Sequence, residues 1–143
     1  MSPVDQDVVR RKLTRIVKCL SRIAEIRSRK VEDYIADEDL QAIMERQLEL
    51  LIGAAVDCNV HILVQSGQAA PADAYTSFLE VARDARALEP DLAARLAPST
   101  GLRNRLAHVY EELDPALVFA GLNEALELYP RYVEAIEAHL ERA

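Results

Sequence analysis

A long apolar stretch in the middle of the chain constrains the fold more than any other feature. From Leu48 to Val56 nearly every residue is apolar, and the pattern continues as far as Leu63. A helix that is apolar on most of its sides has to be covered by other helices or by a second subunit. We therefore predict a central helix from about Asp39 to Gln65, with the rest of the chain packed around it.

The remaining segments also predict helices. Apolar residues before the central stretch alternate in spacing between four and three, which indicates an amphipathic helix from about Val4 to Val31. Further helices are predicted for residues 73–88 and 91–97, for the segment after residue 101, and from Pro115 to about Glu141, with Asp114 as an N-cap and Pro130 as a kink. Half of the 143 residues are hydrophobic but only 5% are aromatic. The pattern predicts one all-α domain over residues 1–143, an up-and-down bundle of about five helices.

Charge is distributed unevenly along the chain. Residues 1–30 contain nine Lys or Arg against three acids, so they carry +6, and the rest must carry −13 because the net charge is −7. A net negative charge argues against bulk attraction to nucleic acid. We interpret the basic first helix as a solvated face that pairs with acidic neighbours, and a nucleic-acid groove ranks second until a site supplies an independent reason.

The cysteines and the N-terminus bear on the compartment. Cys19 and Cys58 are far apart and lie in apolar helical patterns, which predicts buried free thiols in a reducing environment. The first residues lack the basic and apolar regions of a signal peptide, and we expect no apolar run of membrane length. The prediction is a soluble cytoplasmic protein without a membrane association.

One short segment concentrates the chemistry that a catalytic site needs. Arg103, Asn104, Arg105, His108 and Tyr110 fall within eight residues of a predicted helix. Arg103 and His108 are five positions apart, so they project about 140° from each other around the helix. They are poor partners on one face. A second copy of the segment across a symmetry axis would bring two arginines and two histidines around one phosphate.

This segment resembles the signature of HEPN-domain ribonucleases. The spacing of Arg103 and His108, with Asn104 after the arginine and Tyr110 after the histidine, is similar to that of HepT toxins from type VII HepT/MntA toxin–antitoxin systems. The runs 45–50 and 57–63 look like the central helix of that family, and the segment 101–110 followed by Asp114 looks like its late helix and exit turn.

The resemblance implies a homodimeric HEPN-like bundle that cuts RNA, with tRNA among the candidate substrates, and that does not act on DNA. It implies no metal and no cofactor. RNA carries its own nucleophile, so His108 would perform acid/base work and Arg103 would hold the phosphate and stabilise the transition state. Asn104 would orient the imidazole or hold a phosphate oxygen. Arg105 would bind substrate. The partner nucleotidyltransferase MntA would silence the toxin by transferring AMP to Tyr110.

Other interpretations remain open at this stage. A second candidate function is a noncatalytic helical module that pairs with a minimal nucleotidyltransferase. Taken singly, Arg103, Arg105 and His108 could be solvated charges and a packing histidine. Asp57 and His61 have a spacing that can bind a metal, but no third ligand is visible, so a hydrogen bond on the helix face, or support of the motif by Asp57 or Asn59, is favoured.

Overall fold

The fold is built from helices alone over the described part of the chain. The computed structural model describes residues 2–108 and 114–142, and for Val4 and residues 104–108 it describes the backbone only. Seven helices follow one another: α1 (Pro3–Arg27), α2 (Val31–Ile35), α3 (Glu38–Gln65), α4 (Ala74–Arg83), α5 (Pro90–Leu96), α6 (Ser99–His108) and α7 (Pro115–Arg142). The all-α prediction is confirmed. Six of these helices correspond to segments that the sequence predicts, and the short helix α2 is the addition that it does not predict.

Helix α3 is the centre of the bundle. It packs against α1, α2, α4 and α6, and its buried residues join one continuous core with the apolar stripes of α1 and α7. By length and composition α3 would be long enough to cross a membrane, with a mean hydropathy of 1.4 in its most apolar window, which the sequence reading did not expect. Much of that window is buried inside the bundle, as in a core helix.

Polar side chains start the helices where the sequence predicts them. The Asp37 carboxylate accepts a hydrogen bond from the Leu40 amide at 3.0 Å and begins α3. Asp114 accepts from the Ala116 amide at 2.9 Å and begins α7, as predicted. After α3, Gly67 adopts a positive φ of 84°, and the Gln68 amide donates to the Leu63 carbonyl at 2.9 Å. This is the left-handed helix end expected for that glycine.

Two predicted helices are shorter in the structure. Helix α1 ends at Arg27 rather than Val31, because Ser28 caps it through a hydrogen bond to the Glu25 carbonyl at 2.5 Å. The chain then forms the separate helix α2.

Helix α4 ends at Arg83 rather than Leu88, since Arg86 has a positive φ of 54°, which no continuous right-handed helix allows. The apolar spacing of this segment predicts Tyr75 on the inner face of α4, but its side chain is 48% exposed.

Helix α7 brings three aromatic residues into the core or against it. Tyr129 and Tyr132 are fully buried in the core. The Tyr132 hydroxyl lies 2.6 Å from the Asn59 side-chain oxygen and 3.0 Å from the Ala55 carbonyl, so it ties α7 to α3. Phe119 packs on Tyr34 of α2 with ring centroids 5.1 Å apart. The hydrogen bonds of Tyr132 hold α7 against α3, which is the helix that carries much of the candidate site.

Candidate active site

Arg103 lies where α6 crosses α3, against the backbone of Gly53. A Cβ atom built at Gly53 would come within 3.6 Å of the Arg103 Nη2 atom and 3.7 Å of its Cζ atom. The guanidinium group therefore lies flat over the one position of α3 that has no side chain. Glycine in the middle of a helix is unfavourable by about 1 kcal/mol relative to alanine, so its presence here is consistent with the close approach of Arg103.

The Arg103 guanidinium group lines a cleft formed by three helices. The cleft has a volume of about 290 Å³ and is lined by residues of α1, α3 and α6. Four of its lining residues are cations and two are acids: Lys12, Arg15, Arg46 and Arg103 against Glu49 and Asp57. The floor is provided by the small residues Gly53 and Ala54, so the polar groups surround an open space.

Two of the cations in the cleft form ion pairs with its two carboxylates. Lys12 Nζ lies 3.2 Å from an Asp57 oxygen, and Arg46 Nη1 lies 3.4 Å from a Glu49 oxygen. Among the residues that the structure describes, neither Arg15 nor Arg103 has a carboxylate within 4.0 Å. The cleft thus retains a surplus of positive charge in an acidic protein, which suits a bound phosphate.

For the predicted site residues that follow Arg103, the structure describes the backbone as far as His108. Helix α6 continues to His108, so Asn104, Arg105 and His108 all lie on the same helix as Arg103. The side chains of these three residues, and Tyr110 altogether, lie outside the described residues. A continuous helix preserves the predicted angle of about 140° between Arg103 and His108.

The polar residues of α3 that the sequence offered as alternatives have separate roles. Asp57 faces the cleft and pairs with Lys12, so it does support the surroundings of Arg103. His61 Nε2 lies 3.4 Å from an Asp5 oxygen instead of facing Asp57. Asn59 is fully buried, where it accepts from Tyr132 and donates to the Ser77 hydroxyl at 3.1 Å. It supports the bundle and does not reach the cleft.

Sequence reasoning did not identify several residues of the cleft. The sequence places Lys12 and Arg15 on a basic helix, but which face of α1 meets α3 depends on how the helices pack. Arg46 falls in a run that resembles the central helix of the family, and its spacing alone does not mark it as a site residue. Gly53 offered a usable signal, since it is the only glycine within α3. A single glycine in an otherwise apolar helix often marks a close approach of another group.

Comparison with known proteins identifies the family. A family model described as Ribonuclease HepT-like matches residues 16–136, which is most of the chain. The chain belongs to the HepT-like ribonuclease family. This membership confirms the resemblance seen in the sequence, and it favours a ribonuclease over a noncatalytic module.

Individual relatives match this chain over nearly its whole length. The tRNA nuclease HepT of Aphanizomenon flos-aquae is 34% identical over 140 residues, covering 98% of this chain and 95% of the relative. The mRNA nuclease HepT of Shewanella oneidensis is 26% identical over 132 residues, covering 92% of this chain and 98% of the relative. A solved structure of a tri-AMPylated Shewanella oneidensis HEPN toxin in complex with an MNT antitoxin has a TM-score of 0.84 at 25% identity, covering 96% and 99% of the two chains.

Proposed function

We propose that this chain is the toxin of a HepT/MntA pair and cuts RNA, without a metal, in the cleft that contains Arg103. The observation that carries the proposal is the Arg103 guanidinium group, which lies in a cation-lined cleft and belongs to the helix that also bears His108. The similarity to nucleases and to an antitoxin-bound toxin supports it.

The chemistry follows from what RNA itself supplies. The 2′-oxygen attacks the adjacent phosphorus and loses its proton to one imidazole, while the bond from phosphorus to the 5′-oxygen breaks and that oxygen takes a proton from a second imidazole. The products are a 2′,3′-cyclic phosphate and a 5′-hydroxyl. Arg103 holds the phosphate oxygens on which negative charge accumulates, and Asn104 and Arg105 orient the imidazole and the strand.

A second copy of the chain supplies the second imidazole. Arg103 and His108 project in different directions from one helix, so a homodimer in which two α6 helices face each other would place both pairs around one phosphate. The local positive charge of the cleft is doubled in such a dimer. This accounts for RNA binding by a protein whose net charge is −7.

Tyr110 is the proposed site of silencing. It follows the end of α6 by two residues, and AMP transferred to its hydroxyl would add a bulky anion near Arg103 and His108. The anion would compete with the substrate phosphate for the arginine and repel it. The tri-AMPylated state of the similar Shewanella oneidensis toxin supports AMPylation as the type of modification. We further propose a cytoplasmic setting and tRNA as the first substrate to test, because the 34% identical relative is a tRNA nuclease.

The activity is tested by incubating the unmodified protein with total RNA in EDTA, beside its His108→Ala and Arg103→Ala variants. We expect the wild type to cleave and both variants, folded by circular dichroism, to leave RNA intact. If the wild type leaves RNA as intact as the variants do, and still binds the nucleotidyltransferase, the noncatalytic module is the correct reading.

The silencing step needs a separate experiment. The toxin is coexpressed with its antitoxin, and its intact mass is measured for the wild type and for Tyr110→Phe. We expect added AMP on the wild type only, together with loss of cleavage. AMP addition that persists in Tyr110→Phe would place the modification elsewhere.

A further inference from the structure

A second basic cavity adjoins the cleft on the face between α1 and α3. It has a volume of about 380 Å³, and four cations line it: Arg11, Arg15, Lys18 and Arg22. The rest of its lining carries no carboxylate. Arg15 and Leu50 line both this cavity and the cleft, so the two lie next to each other. We call the second cavity the α1 cavity.

The cations of the α1 cavity are not neutralised by the fold. Elsewhere on this basic stretch the expected pairing with acids does occur, since Arg29 pairs with Glu25 at 3.0 Å and Lys12 pairs with Asp57 at 3.2 Å. Within residues 2–108 and 114–142, by contrast, Arg15, Lys18 and Arg22 have no carboxylate within 4.0 Å. Like charges gathered along one helix face repel one another, and a bound polyanion would relieve that repulsion.

A buried amide at the same place lacks a hydrogen-bond partner. Gln47 of α3 lines the α1 cavity and is only 6% exposed, and its side-chain oxygen accepts no hydrogen bond from any residue in the described ranges. An unsatisfied buried acceptor costs about 1–3 kcal/mol. Because that oxygen has almost no accessible surface, a donor such as the ribose 2′-hydroxyl reaches it only when the Gln47 side chain turns toward the cavity.

We propose that the α1 cavity binds the ribose–phosphate backbone of the RNA strand next to the cleavage point. Arg11, Lys18 and Arg22 contact phosphates, Arg15 links this cavity to the cleft, and Gln47 contacts a ribose hydroxyl. Arg11 and Lys18 are seven residues apart and Arg22 lies four further, so the cations extend roughly 16 Å along α1. This inference rests on the proposed ribonuclease function.

RNA fits this surface better than an acidic segment of a partner protein does. A peptide would satisfy the charges equally well, but it would have no reason to continue into the cleft at Arg15. A single strand that passes over Arg103 must leave the cleft, and the α1 cavity is the adjoining depression with the matching charge. A partner protein at this face is the alternative that the experiment distinguishes.

The test measures binding of a fluorescent single-stranded RNA by anisotropy over a range of salt concentrations. All proteins carry His108→Ala so that the RNA stays intact. The test variant adds Arg11→Gln, Lys18→Gln and Arg22→Gln, and a charge-matched control adds Arg83→Gln, Arg131→Gln and Arg142→Gln, which lie outside both cavities. We expect the slope of log affinity against log salt to become shallower by about 2 in the test variant only, because each phosphate contact on a single strand contributes about 0.7.

A second variant examines the buried amide. Gln47→Met keeps the volume of the side chain and removes its acceptor. We expect it to fold at least as stably as the parent, and to lose part of the preference for RNA over DNA of the same sequence. An unchanged preference would exclude the contact between Gln47 and the ribose.

The outcomes separate this inference from the function on which it rests. If the His108→Ala parent binds no RNA, the proposed function itself is wrong. If the parent binds RNA and the test variant matches the control in affinity and slope, the α1 cavity is not part of the RNA path. If the test variant keeps RNA binding but no longer forms a complex with the nucleotidyltransferase, the cavity is a protein-docking surface and the inference is overturned.

Discussion

Gly53 allows the position of Arg103 to be tested by two substitutions with opposite expectations. In Gly53→Ala the new Cβ meets the guanidinium group at 3.6 Å, which is an ordinary van der Waals contact. The substitution therefore leaves Arg103 in place and gains the helix propensity of alanine, about 1 kcal/mol. For a domain of this size that gain corresponds to a rise in Tm of about 3 °C. Cleavage should remain at the wild-type rate.

Gly53→Leu should act on the site instead of on the fold. Leucine is a good helix former, but the atoms beyond its Cβ would enter the space that the guanidinium group occupies. Losing one preorganised donor to a phosphate lowers a rate by about 100-fold or more, so Gly53→Leu should approach Arg103→Ala in activity.

Both effects can be measured on the same preparations, by urea denaturation and by the initial rate of RNA cleavage. The double variant Gly53→Leu with Arg103→Ala should be no slower than either single variant, because both remove the same interaction. Wild-type cleavage by a folded Gly53→Leu protein would refute the placement of Arg103 in the catalytic cleft.

Three further predictions concern the framework of the bundle. Tyr132→Phe should lower the free energy of unfolding by about 1–3 kcal/mol, since it leaves the buried Asn59 oxygen without its 2.6 Å donor, and urea denaturation measures the loss. The Thr76 backbone amide holds the pKa of the Asp73 carboxyl below 3.8. The capping contribution is therefore present above 3.8 and lost as pH falls through the lowered pKa, so Asp73→Ala should be less stable than wild type at pH 7 and equally stable in strong acid. Burial raises the pKa of the Cys58 thiol to about 12, so a thiol reagent at pH 8 should modify it only after denaturation.

Much of the bundle was predictable because its signals are local. Apolar spacing located α1, α3 and α7, and the predicted cap Asp114 marked where α7 begins. The errors arose where the chain departs from a regular helix without proline or glycine. Arg86 adopts a left-handed conformation that its residue type does not predict, and this conformation prevents α4 from continuing to Leu88.

The candidate site was predictable only in part, for a physical reason. Arg103 and His108 are recognisable because their spacing lies within one short segment. The cleft around Arg103 depends instead on three helices that meet in space. Whether the cations of α1 face α3, and whether Asp57 neutralises one or several of them, is decided by packing angles that no local pattern encodes. The sequence therefore favoured a neutralised basic face, and the structure shows that face neutralised only in part.

Analysis of the RNA ends is the measurement that tests the central claim most directly. The unmodified protein is incubated with RNA in EDTA, and the termini of the fragments are identified by mass spectrometry. Attack by the 2′-hydroxyl predicts a 2′,3′-cyclic phosphate on one fragment and a 5′-hydroxyl on the other, with neither formed by the folded Arg103→Ala or His108→Ala proteins. Fragments that end in a 3′-hydroxyl and a 5′-phosphate, or cyclic-phosphate ends produced at the wild-type rate by either variant, would contradict the account.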